Sequence, residues 1–237
     1  LERDMGCAHK QGGGLYERLR IGAVLLAAGE GKRMGGVIKP LITLQGVPLI
    51  RRHLIALSGA GIDDVVVVTG HAAARVEAAI TDFPLTVVRN DAWQDGQQGS
   101  VRLGLEAMTG NFDAIVILLC DQPLVQSGDI VELLAAFKKR GTGHVLIPSV
   151  AGQRGNPVVL DAEAVESIRS SGANLGCRKF VQDNPALVHV HETANTRFLT
   201  DLDTREDVEK LAAKSGWKLG LELAMPEAAD AAATATA

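Results

Sequence analysis

The sequence predicts an α/β domain: a mostly parallel sheet with helices on both faces. Short apolar or β-branched runs of strand length alternate along the chain with segments of helical period. The runs 21–26 and 114–120 are apolar rather than alternating, as strands buried on both faces are. A glycine-rich, basic loop, residues 29–36, directly follows the first run. A sheet of this kind binds ligands beyond the carboxyl ends of its strands, where such a loop would lie.

The elements follow in order. Residues 21–26 read as a short buried strand, and an apolar-patterned helix begins near Pro48. Residues 65–69, β-branched almost throughout, form a strand, 72–80 a helix and 85–89 a strand. The segment 100–108 reads as a helix with Ser100 or Gly99 near its N-cap. Residues 114–120 form a strand. Residues 127–139 form a helix, with Ser127 as cap and Lys138, Lys139 and Arg140 at the end where the dipole favours cations. Strands at 144–148, 157–160 and 187–191 and helices at 162–169, 175–182 and 204–214 complete the pattern. The returns after residue 144 are less regular, so one or two of these strands are expected to be antiparallel. The loops after Leu26, Arg89 and Cys120 should share one rim.

Composition narrows the function. Of 237 residues, 46% are apolar and only 3% aromatic, so Val, Leu, Ile and Ala must fill a large core. The net charge of −4, with both signs intermixed, argues against a nucleic-acid surface, which needs a basic patch. No apolar run reaches the ~18 residues of a membrane span, and no signal peptide is visible. Cys7, Cys120 and Cys177 lie far apart, which implies neither a disulfide framework nor a zinc site, and a cytoplasmic location is expected. Residues 1–20 read as an N-terminal extension, 21–214 as the working domain, and 215–237 as a C-terminal segment ending in an Ala-rich tail with little to bury.

Several positions carry candidate chemistry. Glycines at 29, 31, 35 and 36 let backbone N–H groups turn toward phosphate oxygens, and Lys32, Arg33 and Lys39 add positive charge. The loop is neither a P-loop nor a dinucleotide fingerprint, since both spacings are absent. Arg33 suits bidentate contact with a phosphate. Lys39, kept out of helical backbone by Pro40, suits a point charge on an α-phosphate, and Lys32 is expected to face solvent. Asp121 ends a buried strand, where it either caps the following turn or binds Mg2+, a hard cation held by one or two carboxylates plus phosphates. Cys120 reads as a small core residue.

The segment Leu26-Ala27-Ala28-Gly29, then Arg33-Met34-Gly35 and Lys39-Pro40, resembles the signature of nucleotidyltransferases that activate small phosphorylated acceptors. Four later segments follow it in order: Gly96 to Ser100 after Asn90 and Trp93, Asp121-Gln122-Pro123, Gly155-Asn156-Pro157, and the run from Asp201 to Asp207. Together they resemble the MobA-like NTP transferases, in particular the molybdenum cofactor cytidylyltransferase group, over roughly residues 21–213. The resemblance implies a Rossmann-like three-layer α/β/α nucleotidyltransferase fold. It implies CMP transfer from CTP to the phosphate of molybdenum-bound molybdopterin, with Mg2+ as cofactor and hand-over to a molybdoenzyme or its chaperone. Arg33, Lys39 and Asp121 would be catalytic. Leu26, Ala27, Ala28, Gly29, Gly31, Gly96 and Ser100 would line the nucleotide side, and Gly155 and Asn156 the acceptor side. Asp121 and Asp203 would face the metal.

Each assignment has an alternative. Gly155 and Asn156 also suit a plain hairpin turn. Asp203 could cap the helix near Thr204, and Asp201, two residues away, would point the same way on a strand. Trp93 either stacks on a ring or covers the core. His189 and His191 read as solvent-facing. Ser100 has no His or Asp at triad spacing, so a hydrolase is unsupported. Guanylyl transfer from GTP, activation of a sugar or polyol phosphate, and cofactor delivery without chemistry remain open.

Overall fold

The seven residues of β1 (Ile21–Ala27) contain no polar side chain, and all but the first are buried. Such a strand belongs at the centre of a sheet. The computed structural model, which describes residues 19–170 and 177–222, places it there. After β1 the chain makes the glycine loop and short turns at Lys32–Met34 and Lys39–Leu41. The small strands β2 (Thr43–Leu44) and β3 (Val47–Pro48) lead into α1 (Leu49–Gly59). Then come β4 (Asp64–Thr69), α2 (Ala73–Ala78), β5 (Thr86–Arg89), α3 (Gln97–Ala107), β6 (Ala114–Leu119) and α4 (Ser127–Lys139). The second half holds β7 (Val145–Val150), β8 (Gln153–Arg154), β9 (Val158–Asp161), α5 (Ala162–Ser170) and α6 (Cys177–Asp183). It ends with β10 (Val188–Glu192), α7 (Arg205–Ser215) and β11 (Leu219–Gly220).

The main sheet runs β10-β7-β9-β6-β1-β4-β5, with β8 paired to β7. Strands β6, β1, β4 and β5 are parallel, as are β10 and β7. Strand β9 lies antiparallel between β6 and β7, and β8 pairs antiparallel with β7, so two of the strands after residue 144 are antiparallel as expected. Alternate residues of β1 enter two separate cores. Ala23, Leu25 and Ala27 pack with α1, α4 and α7 on one face. Val24 and Leu26 pack with α3, α5 and α6 on the other. This is the expected three-layer α/β/α arrangement.

Three helix starts differ in detail from the sequence expectation. Helix α3 begins at Gln97, three residues before Ser100, because Gly96 at φ 108° turns the chain out of the preceding Trp93–Asp95 turn. Ser127 is not the cap of α4. Gln126 is, in a capping box where Asp129 Oδ2 accepts the Gln126 backbone N–H at 2.8 Å. Thr204 caps α7, and Asp207 reciprocates, so Asp203 has no capping duty there.

A second sheet, β11-β2-β3, is antiparallel and ties residues 217–222 back onto the loop after β1. Its strands are two residues long and carry no sequence signal of their own. Residues 1–18 of the expected extension, the Ala-rich tail from 223, and positions 175 and 176 of the expected 175–182 helix lie outside the described residues. No described helix is long and apolar enough to cross a membrane.

Candidate active site

The loops after β1, β5 and β6 meet on one rim, as the topology requires, around a cavity of about 300 Å³. Leu26, Ala27, Ala28, Gly29 and Gly31 line it from the first loop; Trp93, Gly96, Gln97 and Ser100 line it from the second. Cys120 and Asp121 line it from the third, and Lys39 and Pro40 close one side. Gly31 has φ +64°, and a Cβ there would lie 2.8 Å from the Val37 carbonyl oxygen, so the tight loop requires glycine. Arg205 braces the loop from outside by donating to the Met34 carbonyl at 3.3 Å.

The charged centre joins residues far apart in sequence. Lys39 Nζ donates to Asp121 Oδ2 at 3.0 Å and to Asp203 Oδ1 at 2.8 Å. Arg33 reaches the other Asp203 oxygen at 2.9 Å. Burial alone would lower the Lys39 ammonium, but the charges and hydrogen bonds of Asp121 and Asp203 hold it above the ordinary lysine value. The Lys39 hydrogen bond, with further help from Arg33, holds the Asp203 carboxyl below its usual range. Asp121 Oδ1 is buried with no hydrogen-bond partner.

Residues 200–203 are irregular rather than a strand. Leu202 is buried, and its N–H bonds the Asp121 carbonyl at 2.8 Å, which sets Asp201 and Asp203 beside Asp121. The Asp201 carboxyl is pushed up to about 6. Burial is the main cause, followed by the Asp121 charge and, more weakly, Asp203. The sequence favours Asp203 over Asp201 for the metal only through the resemblance, since the same-side strand geometry expected for the pair does not hold on this irregular segment.

The cleft is also lined by Ala28 and Trp93. Ala28 is buried, and a Cβ on Gly70 would lie 2.8 Å from both the Ala28 and the Trp93 Cβ atoms. Trp93 meets His71 edge-on, with ring centroids 5.1 Å apart. Ser100 is inside α3, and its Oγ accepts from Asn90 Nδ2 at 2.9 Å. The Asn90 side-chain oxygen Oδ1 in turn accepts the Ala92 N–H at 3.0 Å. Asn90 therefore holds the second loop onto its helix, and Gln97 lines the cleft. Sequence reasoning used Asn90 only as a landmark and did not single out Gln97.

Other expected residues sit elsewhere. Lys32 faces solvent and pairs with Glu30 at 3.3 Å. Cys120 is buried, and burial pushes its thiol well above the ordinary value, as befits a core residue. His191 is not free in solvent: Nε2 meets Glu132 at 3.0 Å. Gly155 and Asn156 are not among the residues lining the cleft. The Asn156 N–H donates to the Phe198 carbonyl at 3.0 Å, and the same oxygen accepts from Gln122 Nε2 at 3.1 Å.

The chain is similar to known proteins over most of its length. Residues 23–190 match the MobA-like NTP transferase domain. Nicotine blue oxidoreductase of Paenarthrobacter nicotinovorans is 30% identical over 193 residues, covering 79% of this chain and 94% of that protein. The bifunctional protein GlmU of Pelobacter propionicus is 32% identical over 202 residues, which span 77% of this chain but 44% of GlmU. A nucleotidyl transferase from Methanothermobacter thermautotroptrophicus superposes with a TM-score of 0.68 at 26% identity, covering 82% of this chain and 97% of that one. With its glycine loop, its central parallel strands and its rim of three loops, the chain belongs to the MobA-like NTP transferase domain family and is of the nucleotidyltransferase class.

Proposed function

We propose that the protein transfers CMP from CTP to the phosphate of molybdenum-bound molybdopterin, in the cytoplasm and with Mg2+, and releases pyrophosphate. The observation that carries this proposal is the convergence of Lys39, Asp121 and Asp203 beside the glycine loop. An acceptor phosphate oxygen attacks the α-phosphorus, the new P–O bond forms, and the bond to the β-phosphate oxygen breaks in line. The acceptor supplies its own nucleophile, so no enzyme nucleophile is needed, and the core position of Cys120 is consistent with that. Both reactants are anionic, so the protein's main work is to hold them together and stabilise charge that grows in the transition state. Backbone N–H groups of the glycine loop, with Arg33 and Lys39, do this on the triphosphate.

The residues fit Mg2+. Asp121 Oδ1 is a buried oxygen that nothing in the protein satisfies, and Asp203 stands across Lys39 from it. Among the described residues no group of three or more His, Cys, Asp or Glu could hold a metal alone. That suits a cation that takes one or two carboxylates and completes its shell with phosphates and water. When bound, Mg2+ neutralises the charge of the triphosphate and the leaving pyrophosphate.

The choice of CTP rests on the Ala27-Ala28-Gly29 form of the loop, and that of molybdopterin on the ordered motifs. Completion would be followed by hand-over to a molybdoenzyme or its chaperone. The test is pyrophosphate release from each of the four NTPs, with molybdopterin and several sugar phosphates as acceptors. CTP with molybdopterin should give the highest kcat/KM. Activity with GTP alone would make the protein a guanylyltransferase. Activation of a sugar phosphate alone would leave only the class. No pyrophosphate release from any NTP with any of these acceptors would overturn the transferase proposal.

A further inference from the structure

We infer that Lys39 gates the metal site: its ammonium locks Asp121 and Asp203 together until a nucleotide's α-phosphate draws it away. Three of the four carboxylate oxygens are already committed to cations. Asp121 Oδ2 and Asp203 Oδ1 take Lys39 at 3.0 and 2.8 Å, and Asp203 Oδ2 takes Arg33 at 2.9 Å. Only the buried Asp121 Oδ1 is left. A divalent cation entering between the carboxylates would meet one ammonium and one guanidinium at close range, and like charges there repel. Without nucleotide, the site is therefore closed to a metal by the protein's own cations.

The same two cations are the ones the triphosphate needs. The Lys39 side chain is only 14% exposed, so its ammonium cannot simply move out into water, and departure requires a replacement anion. Its backbone lies in the turn Lys39–Leu41, where Pro40 and Leu41 are buried, so the mobile part is the flexible side chain. Arg33 is exposed and turns more freely. On nucleotide arrival the partners exchange: Lys39 and Arg33 move to phosphates, and the freed carboxylates accept the divalent cation. The carboxylate pair keeps two positive charges in both arrangements, from two side-chain cations before and from one divalent cation after. Nucleotide and metal then bind with positive coupling, and each raises the other's affinity by the same factor.

The gate rests on Asp121 and Asp203 being metal-facing, so the experiment separates the two ideas. Mn2+ binding to the full chain is measured by electron paramagnetic resonance, with and without saturating CMP. CMP carries the α-phosphate but no β- or γ-phosphate to chelate the metal. Without CMP, Lys39→Met should bind Mn2+ at least about ten-fold more tightly than the wild type, within the usual range of coupling. CMP should raise Mn2+ affinity in the wild type by a much larger factor than in Lys39→Met. Asp121→Asn in either background should weaken the site. Equal Mn2+ affinity of wild type and Lys39→Met without CMP would refute the gate and leave the metal site standing, provided Asp121→Asn still weakens it. Binding that Asp121→Asn leaves unchanged in every arm would overturn the metal assignment and the gate with it. If Lys39→Met loses the native circular dichroism spectrum, the wild-type arms decide: no CMP-dependent gain in Mn2+ affinity refutes the gate.

Discussion

Lowering the pH from 7 to 5 should remove about 2 kcal/mol of stability through one side chain, His53. The ring sits on the core-facing side of α1 and is 2% exposed, and its nitrogens make no hydrogen bond of full geometry, the Cys120 backbone being a weak contact. Burial lowers its pKa from 6.5 to about 4; the Cys120 backbone works against this by favouring the charged ring, and the neighbouring Arg52 charge adds to it. The folded value lies below the unfolded one. Between these two pH values the unfolded chain takes up a proton that the folded chain refuses, so stability is full at neutral pH and falls as pH falls. Each tenfold change in proton affinity is worth about 1.4 kcal/mol, which gives about 2 kcal/mol at pH 5 and about 3 kcal/mol at pH 4. Other groups titrate in the same direction, notably Glu77 and Glu132, whose carboxyls are held below their usual range. The decisive quantity is therefore a difference. Urea unfolding of wild type and His53→Leu at pH 7 and pH 5 should show the variant losing about 2 kcal/mol less than the wild type. His53→Leu also removes two unsatisfied buried polar atoms, so it should not weaken the protein at pH 7 by more than the misfit of its shape. Equal losses in the two proteins would mean that water or a partner reaches the ring, and would refute the argument from burial.

The remaining predictions concern the site. Asp121→Asn should nearly abolish pyrophosphate release with the circular dichroism spectrum unchanged, since it removes charge but little volume; near-normal turnover at saturating Mg2+ would exclude Asp121 as a metal ligand. Arg33→Ala and Lys39→Ala should each lose roughly 2.7–4 kcal/mol of transition-state stabilisation in kcat/KM, the scale for one preorganised donor. Lys32→Ala, at a solvent-facing pair, should change kcat/KM far less, and equal effects at Lys32 and Lys39 would contradict the separation drawn between them. CTP should outcompete GTP in a mixed reaction, and Ala28→Gly should shift the product ratio toward GTP; an unchanged ratio would remove the Ala28 methyl from the account of base choice.

Local rules made much of the fold legible. The apolar runs 21–26 and 114–120 announced buried strands, and the structure pairs them directly at the centre of the sheet. The rim of three loops followed from parallel topology alone. Helix starts were harder, because Ser127 and Ser100 are good caps in isolation while Gln126 and Gly96 hold those positions. The backbone of the preceding turn decides there, and composition does not record it. The two-residue strands β2, β3 and β11 leave no periodic trace. The charged centre was legible residue by residue but not as a set of contacts: Lys39 is 82 positions from Asp121 and 164 from Asp203, and nothing local ties them.

One long-range link does connect the motifs, and it gives Gly155 a physical reason. A Cβ on Gly155 would lie 2.5 Å from the Phe198 carbonyl oxygen, so the hairpin after β7 packs there only with glycine. That oxygen accepts both the Asn156 N–H and Gln122 Nε2. The Gly155-Asn156 motif and the Asp121-Gln122 motif thus meet at one carbonyl. Four residues further on, Leu202 bonds the Asp121 carbonyl and brings Asp203 to Lys39. A larger residue at 155 would displace the segment that carries Asp203, and would disturb the charged centre without lining the cleft. Motifs scattered over the sequence can therefore serve one site in two ways, some by lining it and others by fixing the backbone that delivers a carboxylate to it.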